Sequence, residues 1–106
     1  MFFELRQYWM FPGKRDEYVR LMEELIIPGQ RAMGIDIIGS FVGQEDDNLY
    51  VWIRRFESED QFDAFNATYY ETDEWKNELL PRARELNDFS RMLVTRIEAT
   101  PTSMIQ

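Results

Sequence analysis

The chain has 106 residues, 44% of them hydrophobic and 15% aromatic, which is enough to bury a core and too apolar for a disordered segment. It contains neither cysteine nor histidine, which excludes disulfides, thiolate or imidazole metal sites, cysteine nucleophiles, the usual haem ligand and the commonest general base. A formal net charge of -8 repels nucleic acid and anionic membranes at long range, so neither is an expected partner.

From Phe3 to Met10 the residues alternate as a strand does, with Phe3 and Leu5 on one face and Glu4, Arg6 and Tyr8 on the other. The opening residues 1–11 carry Glu4 and Arg6, lack a small-residue cleavage site and are too short to cross a bilayer, so a cytoplasmic protein is expected. Pro12-Gly13 ends the strand. A helix is predicted from about Lys14 to Ile27, because Tyr18, Leu21, Met22, Leu25 and Ile26 form one apolar stripe, with Pro28-Gly29 kinking or closing it. "DIIGSFVGQ" reads as a second strand weakened by Gly39, and "EDDN" as a solvated turn.

The third strand, "LYVWIRRFES", places Leu49, Val51 and Ile53 on one face and Tyr50, Trp52, Arg54 and Phe56 on the other. The aliphatic face, with Arg55 at its end, is expected to be the helix-covered core. Ser58 and Gln61 then form a capping box for a helix whose inner stripe includes Phe62, Phe65 and Tyr69. Thr72 or Asp73 caps another short helix, with Trp75, Leu79 and Leu80 on one side and Pro81 bending the continuation. After Asn87-Asp88, "RMLVTRIEA" reads as the fourth strand.

This order predicts a single α+β domain over residues 1–106, of the ferredoxin-like βαββαβ type with an antiparallel sheet and helices on one face only. The other face needs a cover, and a second copy is the economical one. The expectation is a homodimer through the sheet face, with Tyr8, Trp52 and Phe56 packed around a shared cavity.

Four stretches in order, "FELRQYWMFPGKRDEYVRLMEELIIPGQRAMG", "VWIRRFES", "DEWKN" and "IEATPTS", resemble NIPSNAP domains across nearly the whole chain. The resemblance implies a dimeric α+β barrel, in a superfamily that also holds small monooxygenases, muconolactone isomerases and haem-handling proteins. It implies no set reaction. Where members often carry histidine in the third strand, this chain has Trp52 and Arg54 instead, so chemistry borrowed from such a histidine does not transfer.

The candidate catalytic residues are Glu4, Arg6, Tyr8 and Arg54, and the candidate substrate-binding residues are Trp52, Tyr50, Asn66 and Tyr69. Arg54 needs a carboxylate or an anionic ligand wherever it is enclosed, and Glu4 is a candidate for that partner. Trp52 and Tyr8 suit an aromatic wall for a planar phenolic or anionic ligand, or plain interface packing. With neither histidine nor cysteine, no metal or other cofactor is expected. Two readings follow: a small cofactor-independent oxygenase or isomerase acting on a hydrophobic, phenolic or anionic molecule, or a non-catalytic homodimeric module that binds a metabolite or protein.

Overall fold

The alternating N-terminal segment forms β1 (Phe2–Trp9), and in this computed structural model, which describes residues 1–106, it lies inside a four-stranded antiparallel sheet. The other strands are β2 (Asp36–Val42), β3 (Leu49–Phe56) and β4 (Leu93–Ile97), in the order β2-β3-β1-β4, the ferredoxin-like arrangement. The register sets Glu4 opposite Arg54, Arg6 opposite Trp52 and Tyr8 opposite Tyr50, so these six side chains leave the sheet on one face. A bulge between Ile37 and Gly39 keeps Ile37 in the core while turning Ile38 outward.

The first helix, α1 (15–32), runs through Pro28 instead of ending before it. It is α-helical over Arg15–Leu21, widens into a π turn over Met22–Ile26, and is α-helical again over Ile27–Ala32. Proline has no N–H and its ring collides with the carbonyl four residues back, so a regular helix would break here. In the π turn the Ile27 N–H donates to the Met22 carbonyl instead, an i to i+5 bond that moves the carbonyls out of the way. The wider turn also rotates the stripe: Leu25, inward by a regular period, is 42% exposed, while Ile27 and Gln30 are buried.

Residues 59–69 form α2 (Glu59–Tyr69), opened by the predicted cap. The Gln61 N–H donates to Ser58 Oγ at 3.1 Å, and Gln61 Oε1 accepts from the Glu57 N–H at 2.6 Å. Thr72 Oγ1 accepts the Trp75 N–H at 3.2 Å and so caps the next helix, α3 (75–86). This helix repeats the device of α1: a π turn over Trp75–Leu79, in which the Leu80 N–H bonds the Trp75 carbonyl, precedes Pro81. A short 3-10 turn, Phe89–Arg91, leads into β4.

The helices cover the opposite face of the sheet from the one the sequence suggests. Tyr50, Trp52, Arg54 and Phe56 are each 3% exposed or less, packed with Tyr18, Met22 and Ile26 of α1, Phe65 of α2 and Leu79 of α3, whereas Leu49, Val51, Ile53 and Arg55 are only half-buried. Aromatic rings carry more apolar area per side chain than aliphatic ones, so the ring-bearing face gains more from being covered. The arginine on it is no obstacle, because its countercharge stands on the neighbouring strand. Tyr8, Trp52 and Phe56 are therefore covered by this chain's own helices and do not form an intersubunit face. The uncovered face is instead Leu5, Leu49, Val51, Ile53, Leu93 and Ile97, bordered by Phe41. Glu98, Ala99, Thr100, Ser103 and Ile105 border a hollow with Phe3, Ile53 and Ile97 at one end of it, and Arg55 Nε donates to the Gln106 carbonyl at 3.1 Å.

Replacing Ser58 by alanine removes the α2 cap without touching the core. Urea titration should show a loss of about 1 kcal/mol with the slope unchanged.

Candidate functional site

On the helix-covered face, Glu4 and Arg6 follow each other along β1 and Arg54 lies across from Glu4 on β3. Arg54, 1% exposed, donates from Nε and Nη2 to Glu4 Oε1 at 3.0 and 2.5 Å. Its Nη1 donates to Gln30 Oε1 at 3.0 Å and to the Tyr70 hydroxyl at 3.1 Å. The guanidinium carbon also stands 5.1 Å from the Trp52 ring centre and 5.2 Å from that of Phe56, within cation–π range. Arg6 donates from Nη1 to the same Glu4 oxygen at 3.1 Å and from Nε to the Tyr8 hydroxyl at 2.5 Å. Two guanidinium groups thus share one carboxylate, and one positive charge is left over.

Burial pushes the Glu4 carboxyl up, but attraction to Arg54 and then Arg6, with hydrogen bonds from both, outweighs it and holds the group below its ordinary value. Glu4 is ionised at neutral pH. Burial pushes Tyr8 up by more than Arg6 draws it down, so Tyr8 is a neutral phenol whose oxygen accepts from Arg6. Arg6 is held firmly charged: burial opposes the charge, but Tyr8 and Glu4 outweigh it.

A cavity of about 240 Å³ opens between the sheet and the helices over this cluster. Glu4, Arg6, Tyr8, Trp52 and Arg54 line it from the sheet, Tyr18, Met22 and Gln30 from α1, and Phe62 and Asn66 from α2. Tyr70, Trp75, Asn87 and Met92 also border it. The structure therefore brings six of the sequence candidates, Glu4, Arg6, Tyr8, Arg54, Trp52 and Asn66, to one cavity. It leaves out two. The Tyr50 hydroxyl is 2.6 Å from Ser40 Oγ, with its ring packed on Tyr18, and burial raises its pKa to about 12. Tyr69 stacks on Phe65 with ring centres 5.3 Å apart, away from the cavity lining.

Gln30 and Asn87 were not singled out from the sequence, and Tyr18 was read there only as part of the apolar stripe of α1. Gln30 had a readable signal only if α1 is carried past Pro28, where it follows Met22 and Ile26 on the buried side. Asn87 had none, being a helix-end asparagine in a chain with several. Both ends of its amide and Trp52 Nε1 lack a hydrogen-bond partner, with the Tyr18 and Tyr8 hydroxyls beside them. Arg54 is not the side chain a ligand would reach first. Its cation is answered within the chain, while the Arg6 side chain keeps 16% of its surface open.

The NIPSNAP family model matches residues 3–104. Among solved structures the chain is similar to protein Atu4242 from Agrobacterium tumefaciens, with a TM-score of 0.88 and 23% identity over 100% of both chains. It is also similar to a NIPSNAP-like domain protein from Burkholderia xenovorans, with a TM-score of 0.85 and 21% identity over 96% of this chain and 87% of that one. An antibiotic biosynthesis monooxygenase shares the fold at a TM-score of 0.67 and 20% identity, over 95% and 100% of the two chains. At these identities the structural likeness is one of fold. No curated protein matches the chain.

Arg54→Ala should destabilise the fold by about 3–5 kcal/mol at pH 7, the usual cost of stripping one partner from a buried ion pair. The Glu4 pKa is lowered in the folded state, so its contribution is fully present above the ordinary glutamate value of about 4.3 and is lost as pH falls through the lower folded value. The deficit of the variant, read from urea midpoints between pH 7 and 3, should therefore shrink on acidification. A constant deficit would mean that the pair contributes by packing alone.

Proposed function

The chain belongs to the NIPSNAP family, and from that premise we propose that its cavity binds a small hydrophobic molecule bearing a phenolic or anionic oxygen and acts on it as an oxygenase or isomerase without a metal or organic cofactor. The observation that carries this reading is the cluster of Glu4, Arg6 and Arg54, one positive charge in excess at the floor of an aromatic-lined cavity. Its volume of about 240 Å³ lies just below the roughly 300–1,000 Å³ typical of small-molecule sites, which suits a substituted ring more than an extended chain.

Arg6 holds the ligand oxygen as its anion, with Tyr8 and Trp52 as the wall against which the ring packs. The Tyr8 oxygen accepts from Arg6, so the phenol proton remains free to donate to the ligand. An anion held this way is electron-rich at its ring or α-carbon, the state from which attack on dioxygen or a proton shift proceeds. Arg54 acts at one remove: it holds Glu4, and Glu4 holds Arg6. The fold shared with an antibiotic biosynthesis monooxygenase supports the oxygenase form of the reading.

A second reading, a non-catalytic binding module, is favoured by one specific feature. Glu4 is held low and Arg6 high, so neither is poised to exchange a proton near neutral pH. Titration of small aromatic carboxylates and phenolates by calorimetry tests what both readings share. Arg6→Ala should weaken binding by about 1.5–3 kcal/mol, roughly 10- to 150-fold, with the far-ultraviolet circular dichroism unchanged. Undiminished binding to the variant would remove Arg6 from the site.

The open sheet face supports a homodimer, with a second copy covering Leu5, Val51, Ile53 and Leu93. Such an interface needs more than about 1,000 Å² in total, and Phe41, Leu93 and Ile97 on or beside this face are exposed large apolar side chains that a second copy would cover. Sedimentation equilibrium at micromolar concentration should give a dimer for the wild type and a monomer for Val51→Glu. A wild-type monomer would remove the dimer from the proposal.

A further inference from the structure

All three hydrogen bonds to the Glu4 carboxylate land on one oxygen. Arg6 Nη1 reaches Oε1 at 3.1 Å, Arg54 Nε at 3.0 Å and Arg54 Nη2 at 2.5 Å. Oε2 receives none, in a residue that is 3% exposed and lines the cavity. Arg6 has a matching surplus: with Nη1 on Glu4 and Nε on Tyr8, both N–H groups of Nη2 are free, and this side chain lines the same cavity. The ionised carboxylate oxygen can only accept, and the guanidinium can only donate. The free acceptor and the free donors belong to one ion pair, joined through the Nη1 to Oε1 contact, and both side chains line the same cavity.

We propose that the molecule recognised here carries a hydroxyl next to its anionic or carbonyl oxygen, as in an ortho-hydroxylated aromatic acid, a catecholate or an enediolate. The hydroxyl donates to Glu4 Oε2 while the neighbouring oxygen accepts from Arg6 Nη2. This rests on the reading of the cavity as a site for a phenolic or anionic ligand, and narrows it. A lone carboxylate satisfies Arg6 but sets its second oxygen against Oε2, charge against like charge. A lone phenol satisfies Glu4 and leaves Arg6 unanswered. Only the adjacent pair meets both, and the leftover positive charge of the cluster is then neutralised by a single anion.

Three probes built on one benzoate frame decide the matter at pH 7 by calorimetry: benzoate, 2-methoxybenzoate and 2-hydroxybenzoate. All are monoanions, and only the last carries a donor beside the carboxylate. The expected result is binding of 2-hydroxybenzoate at least about tenfold tighter than either of the others. In Glu4→Gln the amide oxygen stays with the donors of Arg6 and Arg54, which turns the NH₂ into the place of Oε2 and exchanges an acceptor for a donor. There the hydroxyl advantage should vanish and benzoate should bind more tightly than it does to the wild type. The wild-type comparison stands even if that variant does not fold. Equal affinity of the wild type for benzoate and 2-hydroxybenzoate overturns the inference and leaves the anion site in place. No binding of any of the three overturns the inference together with the reading beneath it.

Discussion

A guanidinium can be sealed inside a protein only where its donors are met, and Arg54 meets that condition by drawing four parts of the chain to one point. Glu4 comes from β1, Gln30 from α1 and Tyr70 from the turn after α2, while Arg54 itself stands on β3. Losing any of these partners would leave a buried charge or polar atom unanswered, at a cost comparable to a large fraction of the stability of a domain this size. The contact therefore fixes where α1 and the end of α2 sit over the sheet. It also fixes the rim of the cavity, since Tyr70 and Gln30 line it. Arg6 hangs from the same Glu4 oxygen, so the more open cation of the cluster is held by a network whose other charged members are buried.

The prolines make this geometry reachable. Gln30 lies beyond Pro28 in a helix that would ordinarily stop there, and the π turn over Met22–Ile26 carries it past. The same turn over Trp75–Leu79 carries α3 past Pro81 to Asn87, which pairs in an isolated bridge with Met10 at the end of β1. The two helical segments that follow β1 and β3 thus solve the same steric problem in the same way. In each case the residue gained beyond the proline, Gln30 or Asn87, is a buried amide on the cavity. Widened helical turns are known to gather at functional sites, and here each one sets a polar side chain that a regular helix would not deliver.

The element order, the Ser58 cap and a cap at Thr72 or Asp73, of which Thr72 is the one used, were legible in the sequence, because alternation, helical period and capping residues are local signals. Which face of β3 is covered was not legible. Alternation defines two faces without naming the inner one, and Arg54 looked too polar for a core until Glu4 was known to stand across from it. Leu25 failed for a related reason: the apolar stripe assumes 3.6 residues per turn, and the π turn breaks that period where the stripe was read. Of the ligand-facing candidates, Glu4, Arg6, Tyr8, Trp52, Arg54 and Asn66 follow from strand register and helix face. Tyr50 shares their face but lies toward the Ser40 end of β3, where the cavity has closed into packed rings.

The cavity works against the charge of the molecule around it. A chain with a formal net charge of -8 repels small anions, yet its enclosed cluster of Glu4, Arg6 and Arg54 is positive by one. Solvent ions screen the outer charges beyond about 10 Å at 0.1 M salt, whereas the buried cluster, set among rings, is screened far less. An inorganic anion entering there gains one favourable charge contact and loses its hydration against Trp52, Phe62 and Trp75, which return nothing to it. An aromatic anion loses less water and recovers area and ring packing worth about 0.5–1.5 kcal/mol beyond that burial. Selection therefore falls on anions with an apolar body, and it arises from the same rings whose burial turned this face of the sheet inward.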